Sequence, residues 1–184
     1  MKFLAVALLV ALAIFLVRYV ARVGPRRLAQ RTTDVVPVPP PVPGSGLAAD
    51  GVAGEAGPAL LGPFEAVYVS STLHGDWLAR VSAHGLGDRS SARVSVHDSG
   101  VLVERQGAKD LWLPVDAIRG AGLAPGMAGK YVGADGLAVI TWAVPEAGGV
   151  PEAVVDTGLR TRRARDRGDL VDVVQKLYTA RRSR

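Results

Sequence analysis

The sequence predicts a mainly β domain closed by one C-terminal α-helix and preceded by a single transmembrane helix. Three observations carry that expectation. An uncharged apolar run opens the chain, short β-prone runs separated by turn residues fill its middle, and a helical apolar period appears only near its end.

The opening run, FLAVALLVALAIFLV from Phe3 to Val17, has no charge, Gly or Pro and holds eleven Leu, Ile, Val and Phe residues. Extended through Tyr19 to Ala21 it gives a helix of about 28 Å, close to the hydrocarbon thickness of a bilayer. Its apolar side chains favour insertion by roughly 3–7 kcal/mol. Arg18 lies near the end of the span, where a long side chain reaches the interface. A cleaved signal peptide is the rival reading, but no small-x-small cleavage site follows. Arg18, Arg22, Arg26, Arg27 and Arg31 follow instead. That bias predicts an N-terminus outside, a cytoplasmic domain at the cell membrane, and these five arginines as contacts with anionic headgroups.

Charge supports the same reading over nucleic-acid binding. The net charge is +5 and the sequence pI about 10. Six basic and three acidic residues precede Ala59, against sixteen and fourteen after it. More than half of the excess therefore flanks the apolar run, and no aromatics interleave with the later basic run Arg160–Arg167 to stack bases. That run reads as a solvated connector, with membrane-surface contact second. The absence of cysteine excludes thiolate zinc sites, Fe–S clusters and a cysteine nucleophile.

The division is an anchor over residues 1–23 with its basic flank to 33, a linker over 34–58, and a folded domain over 59–184. Val35–Gly44 is proline-dense and reads as a stiff polyproline II spacer. Pro37-Val38-Pro39-Pro40 also matches the P-x-x-P pattern of SH3-type ligands, which arises easily in such tracts.

In the domain, strands are expected over Phe64–Ser70, Ala92–His97, Val101–Arg105, Asp110–Pro114, Val115–Leu123, Lys130–Val132, Gly136–Val144 and Val154–Thr157. Asp98-Ser99-Gly100 makes the second and third a hairpin. A short helical turn within Thr72–His84 would face Trp77, Leu78 and Val81 inward. Asp169 is the expected cap of the last helix, whose apolar stripe is Leu170, Val173, Val174 and Leu177. Parallel α/β architecture is disfavoured, since no helical pattern lies between the strands.

A strand meander capped by a helix is the plan of a pleckstrin-homology-like (PH-like) small β-barrel. Val69-Ser-Ser-Thr72, Gly75-Asp-Trp-Leu78, Arg80-Val81, Ala83-His-Gly-Leu-Gly87, Ala128-Gly-Lys130, Ile140-Thr-Trp142 and Asp156-Thr-Gly-Leu-Arg160 carry a resemblance. On these motifs the chain resembles small actinobacterial membrane proteins with one N-terminal helix and a PH-like domain. It implies fold and topology. Phosphoinositide-binding PH-like domains use basic residues of the first hairpin. Here that region carries Arg80, Arg89 and Arg93 with no lysine cluster.

The expected function is a membrane-anchored binding or scaffolding module, with a protein or an anionic lipid as partner and no catalytic activity. An accessory subunit of a transport or envelope complex is the alternative. A remote alternative is a retropepsin-like aspartic protease through Asp156-Thr157-Gly158, a three-residue match. His74, His84 and His97 lie near carboxylates but lack ligand spacing, so no metal or cofactor is expected. Gly126–Lys130 is not a phosphate loop. Trp77, Trp112 and Trp142 are expected in the core, an exposed Trp77 pointing to binding instead.

Overall fold

The computed structural model describes residues 10, 12–16, 32, 34–44 and 56–183. The expected span Phe3–Ala21 lies outside these residues, except that Val10 and residues 12–16 are helical and exposed. No helix among the described residues is long and apolar enough to cross a membrane.

Nine strands and one helix form the domain. They are β1 (Ala59–Leu73), β2 (Ser90–His97), β3 (Gly100–Arg105), β4 (Leu111–Pro114), β5 (Ile118–Ala124), β6 (Gly126–Met127), β7 (Lys130–Tyr131), β8 (Leu137–Val144), β9 (Ala153–Thr161) and α1 (Ala164–Arg182). Seven strands build one antiparallel sheet in the order β4-β3-β2-β1-β9-β8-β5, and β6 with β7 is a separate hairpin. β1 is the spine. Its first part pairs with β2 and its second with β9, and bulges near Leu61 and Tyr68 bend it between them.

The alternation of β2 and β3 orders that half of the sheet. Val94 and Val96 face Val103 and Val101 across the ladder, and all four are fully buried. Gly100 allows the close approach of β4: a Cβ there would collide with Leu113 O and lie 2.7 Å from the Trp112 ring. On the other half, Ile140 and Trp142 of β8 and Val155 and Leu159 of β9 complete the core.

The expected barrel is not closed. β4 and β5 are joined by a three-residue 3-10 turn, Val115–Ala117, yet do not pair. β4 ends at Pro114, which has no N–H to donate, and the chain leaves the strand conformation directly after it. The strand expected over Val115–Leu123 is thus a turn followed by β5. Helix α1 packs against that turn and against β5 and β8. It buries Leu170, Val171 and Val174, with Val173, Leu177 and Tyr178 packed beside them. The helix begins five residues before Asp169. Thr161 Oγ1 donates to Arg163 O at 2.6 Å as β9 passes into the helix, and Asp169 lies inside it, 3.5 Å from Arg165.

The tract that reads as a spacer is packed on the domain. Val36 is fully buried within the main core cluster, and Pro37 is buried beside it.

Candidate functional site

The connection from β1 to β2 is held by backbone bonds. Leu73 N–H donates to Ala79 O, His74 N–H to Val154 O and Val81 N–H to Ser71 O. Asp76 sets its tip: Oδ1 accepts from the N–H groups of Leu78 at 3.0 Å and Ala79 at 3.2 Å, an Asx-type turn. That turn reverses the chain, so no helical face forms. Val81 is buried as expected, but Trp77 and Leu78 point outward, 56% and 59% exposed.

A second element adjoins this loop. Ala128 N–H donates to Trp77 O at 2.7 Å, stitching the loop to the β6–β7 hairpin. That hairpin carries Tyr131, 75% exposed. Trp77, Leu78 and Tyr131 thus protrude from two loops that share a hydrogen bond.

Beneath the edge, the hairpin covers the outer sheet face. Val69 of β1, Met127 of β6 and Leu137 of β8 form a second buried cluster, joined by Val67, Ala128, Val132 and Val139. Its floor explains the Asp-Thr-Gly triplet, which runs within β9 and is not an exposed loop. Asp156 accepts from Thr141 Oγ1 at 2.6 Å and pairs with His74 Nδ1 at 3.0 Å. Thr157 is fully buried. At Gly158 a Cβ would lie 2.7 Å from Met127 Sδ. Each residue of the triplet has a packing or pairing partner within the domain.

Thr157 belongs to a chain of buried polar groups whose polarity is fixed at both ends. Trp142 Nε1 can only donate, and does so to Thr157 Oγ1 at 2.9 Å. Leu86 O can only accept, and takes the Tyr68 hydroxyl proton at 2.7 Å. Between them Thr157 donates to Ser71 and Ser71 to Tyr68, each at 2.8 Å. This relay ties β8, β9 and β1 to the Ala83–Gly85 turn. Burial pushes the Tyr68 pKa up to about 12, against the lowering by the Ser71 hydrogen bond and the nearby Arg105 charge. Arg105 stacks over the Tyr68 ring at 4.7 Å and donates to Gly85 O at 2.8 Å.

The three histidines do not converge. His74 pairs with Asp156, and His84 Nε2–H donates to Val36 O. His97 Nδ1–H donates to Gly57 O, so its Nε2 accepts from Ser95. No group of three or more His, Asp or Glu able to hold a metal occurs among the described residues. Trp112 and Trp142 are in the interior as expected. Arg18, Arg22, Arg26, Arg27 and Arg31 lie outside the described residues. Of the later basic run, Arg160 and Arg162 project from the outer sheet face. Arg162 pairs with Glu65 at 2.7 Å, and Glu65, Arg93 and Glu104 are successive cross-strand neighbours. These alternating charges line an open groove of about 1190 Å³ and neutralise one another across β9, β1, β2 and β3.

Sequence reasoning missed the outward turn of Trp77 and Leu78. Its available signal was Gly75-Asp76, a turn pair directly before them.

A search of the curated proteins finds no significant match. The model of one family, described as bacterial PH domain-like, matches residues 48–175, well over half of the chain and every element from β1 into α1. A mainly β domain closed by a C-terminal helix agrees with that PH-like description, although the sheet here stays open. The chain belongs to the bacterial PH domain-like family.

Proposed function

We propose that this chain is a binding module held at the cell membrane by residues 3–21, with its N-terminus outside, its PH-like domain on the cytoplasmic side, and a protein partner docked on the Trp77–Leu78–Tyr131 edge. One observation carries the reading: three large apolar side chains stand out from a braced scaffold instead of joining the core beneath them. The scaffold supports recognition because the Asx turn, the Ala128–Trp77 bond and the Met127 cluster fix the edge before any partner arrives. Charge favours protein over anionic lipid. Asp76 and Asp135 accompany Arg80 and Lys130 in these loops, which gives no basic cluster for headgroups. No catalytic step is assigned, since the Asp-Thr-Gly triplet and the histidines are engaged within the fold.

The test is site-specific photocrosslinking of the full chain in native membranes, with the probe at Trp77, Leu78 or Tyr131 and a control at Lys176 on α1. One protein captured from all three edge positions and absent from the control supports the reading. Lipid adducts alone would replace the protein partner with a bilayer surface, and no adduct would sink it. A reporter active only outside the cytoplasm, fused after Arg184, tests orientation separately and should stay silent.

A further inference from the structure

The strap formed by Thr32 and residues 34–43 lies outside the family match, which begins at residue 48, yet it fills part of the family core. Val36 joins the apolar cluster that holds Val81, Ala83 and Leu86, all at most 1% exposed. Two polar contacts bracket this anchor. Ala83 N–H donates to Thr32 Oγ1 at 2.8 Å, and His84 Nε2–H donates to Val36 O at 2.9 Å. Val36 N–H bonds Thr32 O at 2.9 Å, so the anchor is presented by a single turn. Beyond it Pro37 is buried, Pro39, Pro40, Val42 and Pro43 are half-buried, and Val38 and Pro41 are exposed. His84 itself holds a left-handed backbone, φ 55°, a region where histidine is one of the better tolerated residue types.

These contacts have the form of a docked peptide: one apolar anchor, two flanking hydrogen bonds, and a proline tract whose extended form loses little freedom on binding. The receptor residues Ala83 and His84 lie within the family match, and the ligand comes from outside it. We propose that the groove at Ala83–His84 is a binding site for extended valine–proline segments, filled in cis by the strap and in trans by a partner protein's segment of the same chemistry. The partner segment needs a β-branched anchor followed by proline, with a hydroxyl side chain four residues before the anchor. This site is separate from the Trp77 edge and does not depend on membrane anchoring.

The strap then acts as a competitor. If it is docked nine-tenths of the time, it lowers the apparent affinity for a trans segment about tenfold. The test uses full-length chain and a fluorescein-labelled peptide of residues 31–44, titrated to millimolar concentration and read by anisotropy. The expected result is saturable binding to a Thr32→Ala, Val36→Ser chain, with binding to the unaltered chain at least tenfold weaker. The same peptide carrying Val36→Asp should not bind, and adding His84→Ala to the altered chain should weaken binding. Near-UV circular dichroism from the buried Trp142 reports whether the altered chain is folded. Should it unfold, the milder Thr32→Ala chain decides, with an intermediate gain in affinity expected. Absence of saturable binding to a folded strap-weakened chain overturns the proposal. So does equal binding to altered and unaltered chains, or binding that ignores the Val36→Asp change in the peptide.

Discussion

Met127 of the β6–β7 hairpin rests on Gly158 of β9, and a Cβ at that position would lie 2.7 Å from its sulfur. The pair joins the hairpin that carries Tyr131 to the sheet that carries Asp156. Gly158→Ala should force Met127 aside and cost about 1–3 kcal/mol by overpacking. Because the obstacle is a flexible thioether, Met127→Ala should recover part of that loss. A double-mutant cycle by urea denaturation checks this, and strictly additive losses would show that the two residues do not press on each other.

Thr157 is the middle of a one-way relay from Trp142 to Leu86. Thr157→Val keeps the shape and removes both bonds of the hydroxyl, leaving the buried Trp142 N–H without an acceptor. The expected loss is about 1–3 kcal/mol, from the desolvated unpaired group. Ser71→Ala in the same background should cost less than it does alone, since the relay is already cut. Equilibrium unfolding of the four chains measures the difference.

Tyr68 gives a pH dependence with a defined sign. Its folded pKa, about 12, lies above the ordinary tyrosine value near 10. Above pH 10 the unfolded chain therefore loses the proton first, and stability falls as pH rises from about 10 to 12. The two-unit gap corresponds to about 2–3 kcal/mol lost across that window, with the full contribution present below pH 10. Tyr68→Phe should flatten this part of the profile. Thermal unfolding between pH 9 and 12 for both chains isolates the tyrosine from other titrations, and parallel curves would refute the assignment.

Trp77 should be separable from the other two tryptophans by access alone. It is 56% exposed, against 5% for Trp112 and none for Trp142. Iodide should quench one component of the emission, and Trp77→Phe should abolish that component. Trp77→Ala should change stability by no more than about 0.5 kcal/mol, as at other surface positions outside the core, while removing capture at the edge. A large loss of stability would mean that the side chain supports the fold.

The strands most legible in the sequence are those where local pattern and burial coincide. Ala92–His97 alternates, Asp98-Ser99-Gly100 turns, and the observed ladder pairs His97 with Gly100. The stripe Leu170, Val174 and Leu177 marks the helix face that packs on the core, although Val171 takes a buried place that a strict spacing gives to Val173. These features depend on backbone periods of 2 and 3.6, which a single segment carries by itself. The Asp-Thr-Gly triplet shows the limit, because its meaning lies in Thr141, His74 and Met127, none of them nearby in sequence.

Local residue pattern and composition specify the antiparallel β class, the closing helix, the near-neutral balance of the domain and the absence of cysteine chemistry. Long-range packing settles that the sheet stays open after Pro114, that Trp77 and Leu78 face outward, and that Val36 is core. The reason is common to all three. Closure, exposure and burial depend on which distant segments meet, and a proline tract or a turn loop carries no period that announces its partner.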